Sequence, residues 1–74
     1  MTNPVKASDL LVRLRRRASC LALDHEETAG KGSHVKVRHD GARTVVPLHR
    51  GDLPTGTYRA ILRQLGLSAS DLED

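Results

Sequence analysis

The 74-residue chain has room for one domain, over 1–74, near the lower size at which a core holds without disulfides or metal. Hydrophobic residues make up 38% of it and aromatics 1%, so Leu, Val and Ile must build the core, with Tyr58 as its only large aromatic residue. Net charge is +3 with a pI of about 9.6; the single Cys20 excludes an internal disulfide and points to a reducing cytoplasm, and Arg13 interrupts the N-terminal apolar stretch short of a signal core or membrane span.

Ser8 is placed to cap a first helix over about 8–17, with Leu10, Leu11 and Leu14 on one face and Arg13, Arg16 and Arg17 mostly on the other. Residues 20–23, Cys-Leu-Ala-Leu, are a brief apolar run that reads as a strand, and residues 25–32 read as loop. A hairpin is the clearest local signal: Val35 to His39 alternates, Asp40-Gly41 supplies a two-residue turn, and Arg43 to Leu48 returns. Such a turn sets position 37 opposite 44 and 35 opposite 46. Val35, Val37, Thr44, Val46 and Leu48 then share a buried face, while His34, Lys36, Arg38 and Arg43 lie on the other.

After Gly51-Asp-Leu-Pro-Thr-Gly56, a second helix is predicted from near Thr57, with Tyr58, Ile61, Leu62 and Leu65 as its apolar stripe. Gly66 ends it as a left-handed cap with Leu67 folding back, and Ser68 with Asp71 caps a last turn carrying Leu72. The expected architecture is α+β, in the order α-β-β-β-α, with both helices on one face of a three-stranded antiparallel sheet.

Charge is unevenly placed. Between positions 31 and 63 seven Lys and Arg face two Asp, which suits a polyanion, and equally a solvated surface. The four histidines lack the spacing or cysteine company of a zinc site, so no metal is expected. Gly30-Lys-Gly-Ser33 lacks the spacing of a phosphate loop and opens no helix, and no nucleophile elbow surrounds Ser33 or Cys20. His34 remains, on the face that carries Lys36, Arg38 and Arg43. A near-neutral imidazole can move a proton, and flanking cations can hold a phosphate and stabilise charge developing on it. That set suits RNA strand scission, in which a deprotonated 2′-hydroxyl attacks the adjacent phosphate without metal; a polar residue at a strand end explains the same histidine more plainly.

Lys31-Gly-Ser-His34 before an alternating strand, His39-Asp-Gly41, Val46-Pro-Leu-His49, and Gly56-Thr-Tyr-Arg-Ala-Ile-Leu62 leading to Gly66-Leu-Ser68 follow one another in an order that resembles the HicA toxin family. The resemblance implies a double-stranded-RNA-binding-like domain and an mRNA-cleaving, growth-arresting toxin held inactive by a HicB-type antitoxin. It implies that His34 is the catalytic histidine. Lys31, Lys36, Arg38 and Arg43 are expected as RNA-binding residues from charge and strand alternation, and His49 as a support for the loop before the second helix. No cofactor is expected. Val35 stands where family members often carry a second histidine or other polar residue, and alternation makes it a core residue. The stretch 24–30 is longer and more acidic than the usual link, and Glu26 and Glu27 are expected to repel phosphate. Two other functions fit the same residues: a non-catalytic RNA binder, and a protein-binding module that is a degenerate toxin completed by its partner.

Overall fold

The computed structural model describes residues 5–30, 32–48 and 53–72. Helix α1 (Ala7–Leu21) is followed by strands β1 (His25–Ala29), β2 (His34–His39) and β3 (Ala42–Pro47), helix α2 (Thr55–Leu65) and a 3₁₀ turn (Ala69–Leu72). The strands form one antiparallel sheet in the order β1-β2-β3, so the α-β-β-β-α reading holds.

Two boundaries differ from expectation for physical reasons. Helix α1 runs four residues past the predicted end, because Arg-Arg-Arg-Ala-Ser-Cys-Leu contains no breaker and Ala18 still faces the core. Nor does Ser8 cap it: Lys6 is the extended boundary residue, without a side-chain hydrogen bond. Cys20 and Leu21 are therefore the helix's last turn rather than a strand, and the first strand is His25–Ala29, where a loop was expected. Helix α2 likewise begins at Thr55, two residues early, directly after Pro54.

Ala22 closes α1 in the left-handed region at φ 54, with Leu23 N–H donating to the Ala18 carbonyl at 2.8 Å. A side chain in this conformation is strained, and glycine is not. Ala22→Gly is expected to stabilise the domain by about 0.5–1 kcal/mol, read as a raised denaturant midpoint. An unchanged or lowered midpoint would show that the helix end relaxes at no cost.

The hairpin is as read. Asp40 and Gly41 take φ 52 and 84, the mirror-image turn that matches strand twist, and Val37 stands opposite Thr44 and Val35 opposite Val46. Val37, Thr44 and Val46 are buried and Val35 partly so, whereas Leu48, expected on the buried face, lies past the end of β3 and is exposed. His39 takes a place on that inner face that alternation allowed but hydrophobicity did not suggest.

Both helices pack on this face. Leu10, Leu11 and Leu14 of α1 and Tyr58, Ile61, Leu62 and Leu65 of α2 form one cluster with Val37, Val46, Leu53 and Leu72. Each fully buried leucine contributes about 1.5–3 kcal/mol, and with no Phe or Trp in the chain the leucines dominate. Thr44, the polar member of the face, donates its hydroxyl to Gln64 Oε1 at 2.6 Å and so ties β3 to α2. Gly66 ends α2 at φ 69, Leu67 N–H donates back to the Leu62 carbonyl at 2.8 Å, and Ser68 N–H donates to Asp71 Oδ2 at 2.8 Å. That last bond holds the Asp71 carboxyl below its ordinary range. Among the described residues no helix is long and apolar enough to cross a membrane.

Candidate active site

With both helices on one side, the sheet's other face is left open. Alternation along β2 sends His34, Lys36 and Arg38 there, and the two-residue turn brings Arg43 of β3 opposite Arg38. All four are exposed. Residues two apart on a strand stand about 6.5–7 Å apart, so His34, Lys36 and Arg38 form a short row. Lys36, Arg38 and Arg43 also line an open depression of about 700 Å³, together with Glu26, Thr28 and Val45. His34 lies beyond its rim, at the entry to β2.

The strands on either side fix where His34 sits. Gly30 N–H donates to the His34 carbonyl at 2.8 Å from the β1 side, and Leu48 N–H donates to the Ser33 carbonyl at 2.6 Å from the β3 side. A Cβ on Gly30 would stand 3.2 Å from that His34 oxygen, which explains a glycine where β1 crowds the histidine. The imidazole thus projects from a backbone pinned by both neighbours.

The two glutamates expected to repel phosphate part company. Glu26 is on the open face opposite Arg38 and forms an ion pair with it, so part of the Arg38 charge is already neutralised. Glu27 points the other way, under α1. Lys36 and Arg43 have no ion-pair partner among the described residues, which makes them the more available cations. Lys31 and His49 lie outside the described residues.

A second cluster went unforeseen in the sequence. On the inner face, His25 Nδ1 meets His39 Nδ1 at 3.0 Å, His25 Nε2 meets Glu27 Oε2 at 2.7 Å, and Arg17 Nη1 meets His39 Nε2 at 2.9 Å. Arg15 donates to both Glu27 oxygens, at 2.6 and 2.5 Å. The imidazoles pack edge to face, 5.2 Å between centres. Those Arg15 bonds, helped by His25, hold the Glu27 carboxyl below its ordinary range against the opposing effect of burial. Burial, then the neighbouring His25 and Arg17, lowers the His39 pKa. The only available signal was the spacing of two, His25 and Glu27, which a strand turns into a shared face.

No three or more His, Cys, Asp or Glu side chains are grouped to hold a metal among the described residues. Chemically, the open face offers one imidazole with cations spaced along the same strand and its neighbour: an arrangement for binding an extended polyanion and moving one proton beside it. Residues 22–67, from the end of α1 through α2, match the family model described as the HicA toxin of bacterial toxin-antitoxin. No curated protein matches the chain.

Proposed function

The chain belongs to the HicA toxin family, toxins of bacterial toxin–antitoxin systems, and on that premise we propose that it is a metal-independent endoribonuclease that cuts mRNA with His34 and is silenced by a HicB-type antitoxin. The observation that supports this reading is the row His34, Lys36 and Arg38 on the exposed sheet face with Arg43 across from it. Lys36 and Arg43 hold the RNA backbone through charge, with Arg38 tempered by Glu26. His34 takes the 2′-hydroxyl proton of the nucleotide beside it. The 2′-oxygen then bonds to phosphorus while the bond to the 5′-oxygen breaks, leaving a cyclic phosphate on one fragment; the departing 5′-oxygen takes up a proton. Nearby cations stabilise the charge that builds on the phosphoryl oxygens.

The test is growth after induced expression, paired with incubation of purified protein with mRNA and a chelator. Arrest by the accumulating, folded chain and cleavage under chelation support the proposal. A folded chain that neither slows growth nor cuts RNA overturns it in favour of a binding module.

The face makes a separate prediction. Lys36→Ala and Arg43→Ala are each expected to weaken RNA binding several-fold and to lower the slope of affinity against salt by about 1, the effect of one lost phosphate contact. Arg38→Ala is expected to do less, because Glu26 already engages that guanidinium. Binding measured across a salt series checks this, and unchanged affinity in the first two variants would place the RNA on another surface.

A further inference from the structure

The hydrogen bonds of the inner cluster admit one arrangement of protons. A guanidinium donates and cannot accept, so Arg17 requires a bare Nε2 on His39. A neutral His39 then carries its proton on Nδ1 and donates it to His25 Nδ1. With that nitrogen accepting, His25 carries its own proton on Nε2 and donates it to Glu27, whose carboxylate also accepts both bonds from Arg15. Two protons on four ring nitrogens make every contact donor to acceptor. A third turns either the Arg17–His39 contact or the His25–His39 contact into donor against donor.

This cluster holds down the second half of α1. Past Leu14, only Ala18 of α1 is buried, and Arg15 and Arg17 reach the sheet from there. His39 is 1% exposed, so an added charge there finds little water. Among the described residues, the charged neighbours each have a side in the balance. Arg15 and Arg17 from α1 disfavour a positive pair. Glu27 from β1 and Asp40 from the turn favour it, and Asp71 of the 3₁₀ turn acts on Arg17. Asp24, before β1, touches the turn through its backbone carbonyl, which accepts from Asp40 N–H at 2.8 Å.

We infer that the His25–His39 pair is a proton-operated clasp between α1 and the sheet: closed when both rings are neutral, and released when the pair takes up a third proton. The sign is fixed by linkage. Released or unfolded imidazoles bind a proton near their ordinary pKa of about 6.5. The closed His39 binds it only at lower pH, because burial and the adjacent cations oppose it. The open state therefore gains protons first as pH falls, so closure is fully favoured above about pH 6.5 and weakens below it. Glu27, lowered for its own reason, adds a loss only when its carboxyl titrates, under about pH 4.5. A release between pH 7 and 5 thus belongs to His39 and not to Glu27.

Amide hydrogen exchange on the full chain, corrected for the intrinsic effect of pH, reads this directly. Protection of residues 15–21 and 25–29 is expected to fall several-fold between pH 7.5 and 5.5, within the roughly tenfold that one imidazole of ordinary pKa about 6.5 supplies when it binds a proton only in the open state, while α2 and β3 hold theirs. Arg17→Met removes the fixed donor at a partly buried position. It is expected to start less protected at pH 7.5 and to lose under half as much, on a logarithmic scale, on acidification. Equal protection of residues 15–21 at both pH values, loss spread evenly over the domain, or an Arg17→Met profile as steep as wild type would each overturn the clasp.

Discussion

His34→Ala is expected to abolish RNA cleavage and growth arrest while the domain folds as before. Loss of a positioned proton acceptor costs on the order of 10²–10⁴ in rate, enough to take a toxin below the level that stops growth. The fold survives for reasons already visible. The side chain is exposed, and two bonds that pin this point of the chain, from Gly30 N–H to the His34 carbonyl and from Leu48 N–H to the Ser33 carbonyl, belong to the backbone. Circular dichroism and a denaturant midpoint establish that the variant is folded; gel assays and growth curves then read the chemistry. A folded His34→Ala protein that still cuts RNA at the wild-type rate would remove His34 from the mechanism, leaving Lys36 and Arg43 as binding residues only. Retained antitoxin binding in the inactive variant would add that partner and substrate read different features.

The largest effect on stability is expected from Leu14→Ala. This side chain is fully buried, at 0% exposure, within the cluster that joins α1 to Val37, Val46 and α2. Removing it leaves a cavity in a rigid aliphatic core and costs about 2–5 kcal/mol. A domain of this size has a total stability of roughly 4–11 kcal/mol, so the variant is expected to be largely unfolded or to melt far below wild type. Val12→Ala, at an exposed position of the same helix, controls for helix propensity and is expected to change stability by under about 0.5 kcal/mol. Equal midpoints for the two variants would mean that α1 is not part of the cooperative unit.

The elements that hydrophobicity and turn chemistry specify were readable from residues alone. Asp40-Gly41 between two alternating runs determined the hairpin and its register, and with them the side of the sheet on which His34, Lys36, Arg38 and Arg43 stand. Tyr58, Ile61, Leu62 and Leu65 did the same for α2. Strand β1 escaped because its inward side chains are His25, Glu27 and Ala29, two of them polar. They are accommodated by pairing with His39 and Arg15 instead of by apolar burial, so no alternation of hydrophobicity marks the strand. The apolar run at 20–23 misled in the opposite sense. Leu21 is an exposed residue at the end of a helix, where local hydrophobicity carries little information about burial. The pairing of Glu26 with Arg38 was hidden in turn: it depends on a register with β1 that only the folded sheet sets.

Tyr58 gives the molecule an optical reporter of its own. It is the only tyrosine in a chain without tryptophan, so no indole absorbs its excitation or drains its emission. It is buried on α2, in the cluster shared with α1 and the sheet. Near-ultraviolet ellipticity and tyrosine fluorescence therefore follow the seating of that one ring, and undocking of α2 can be watched without a label.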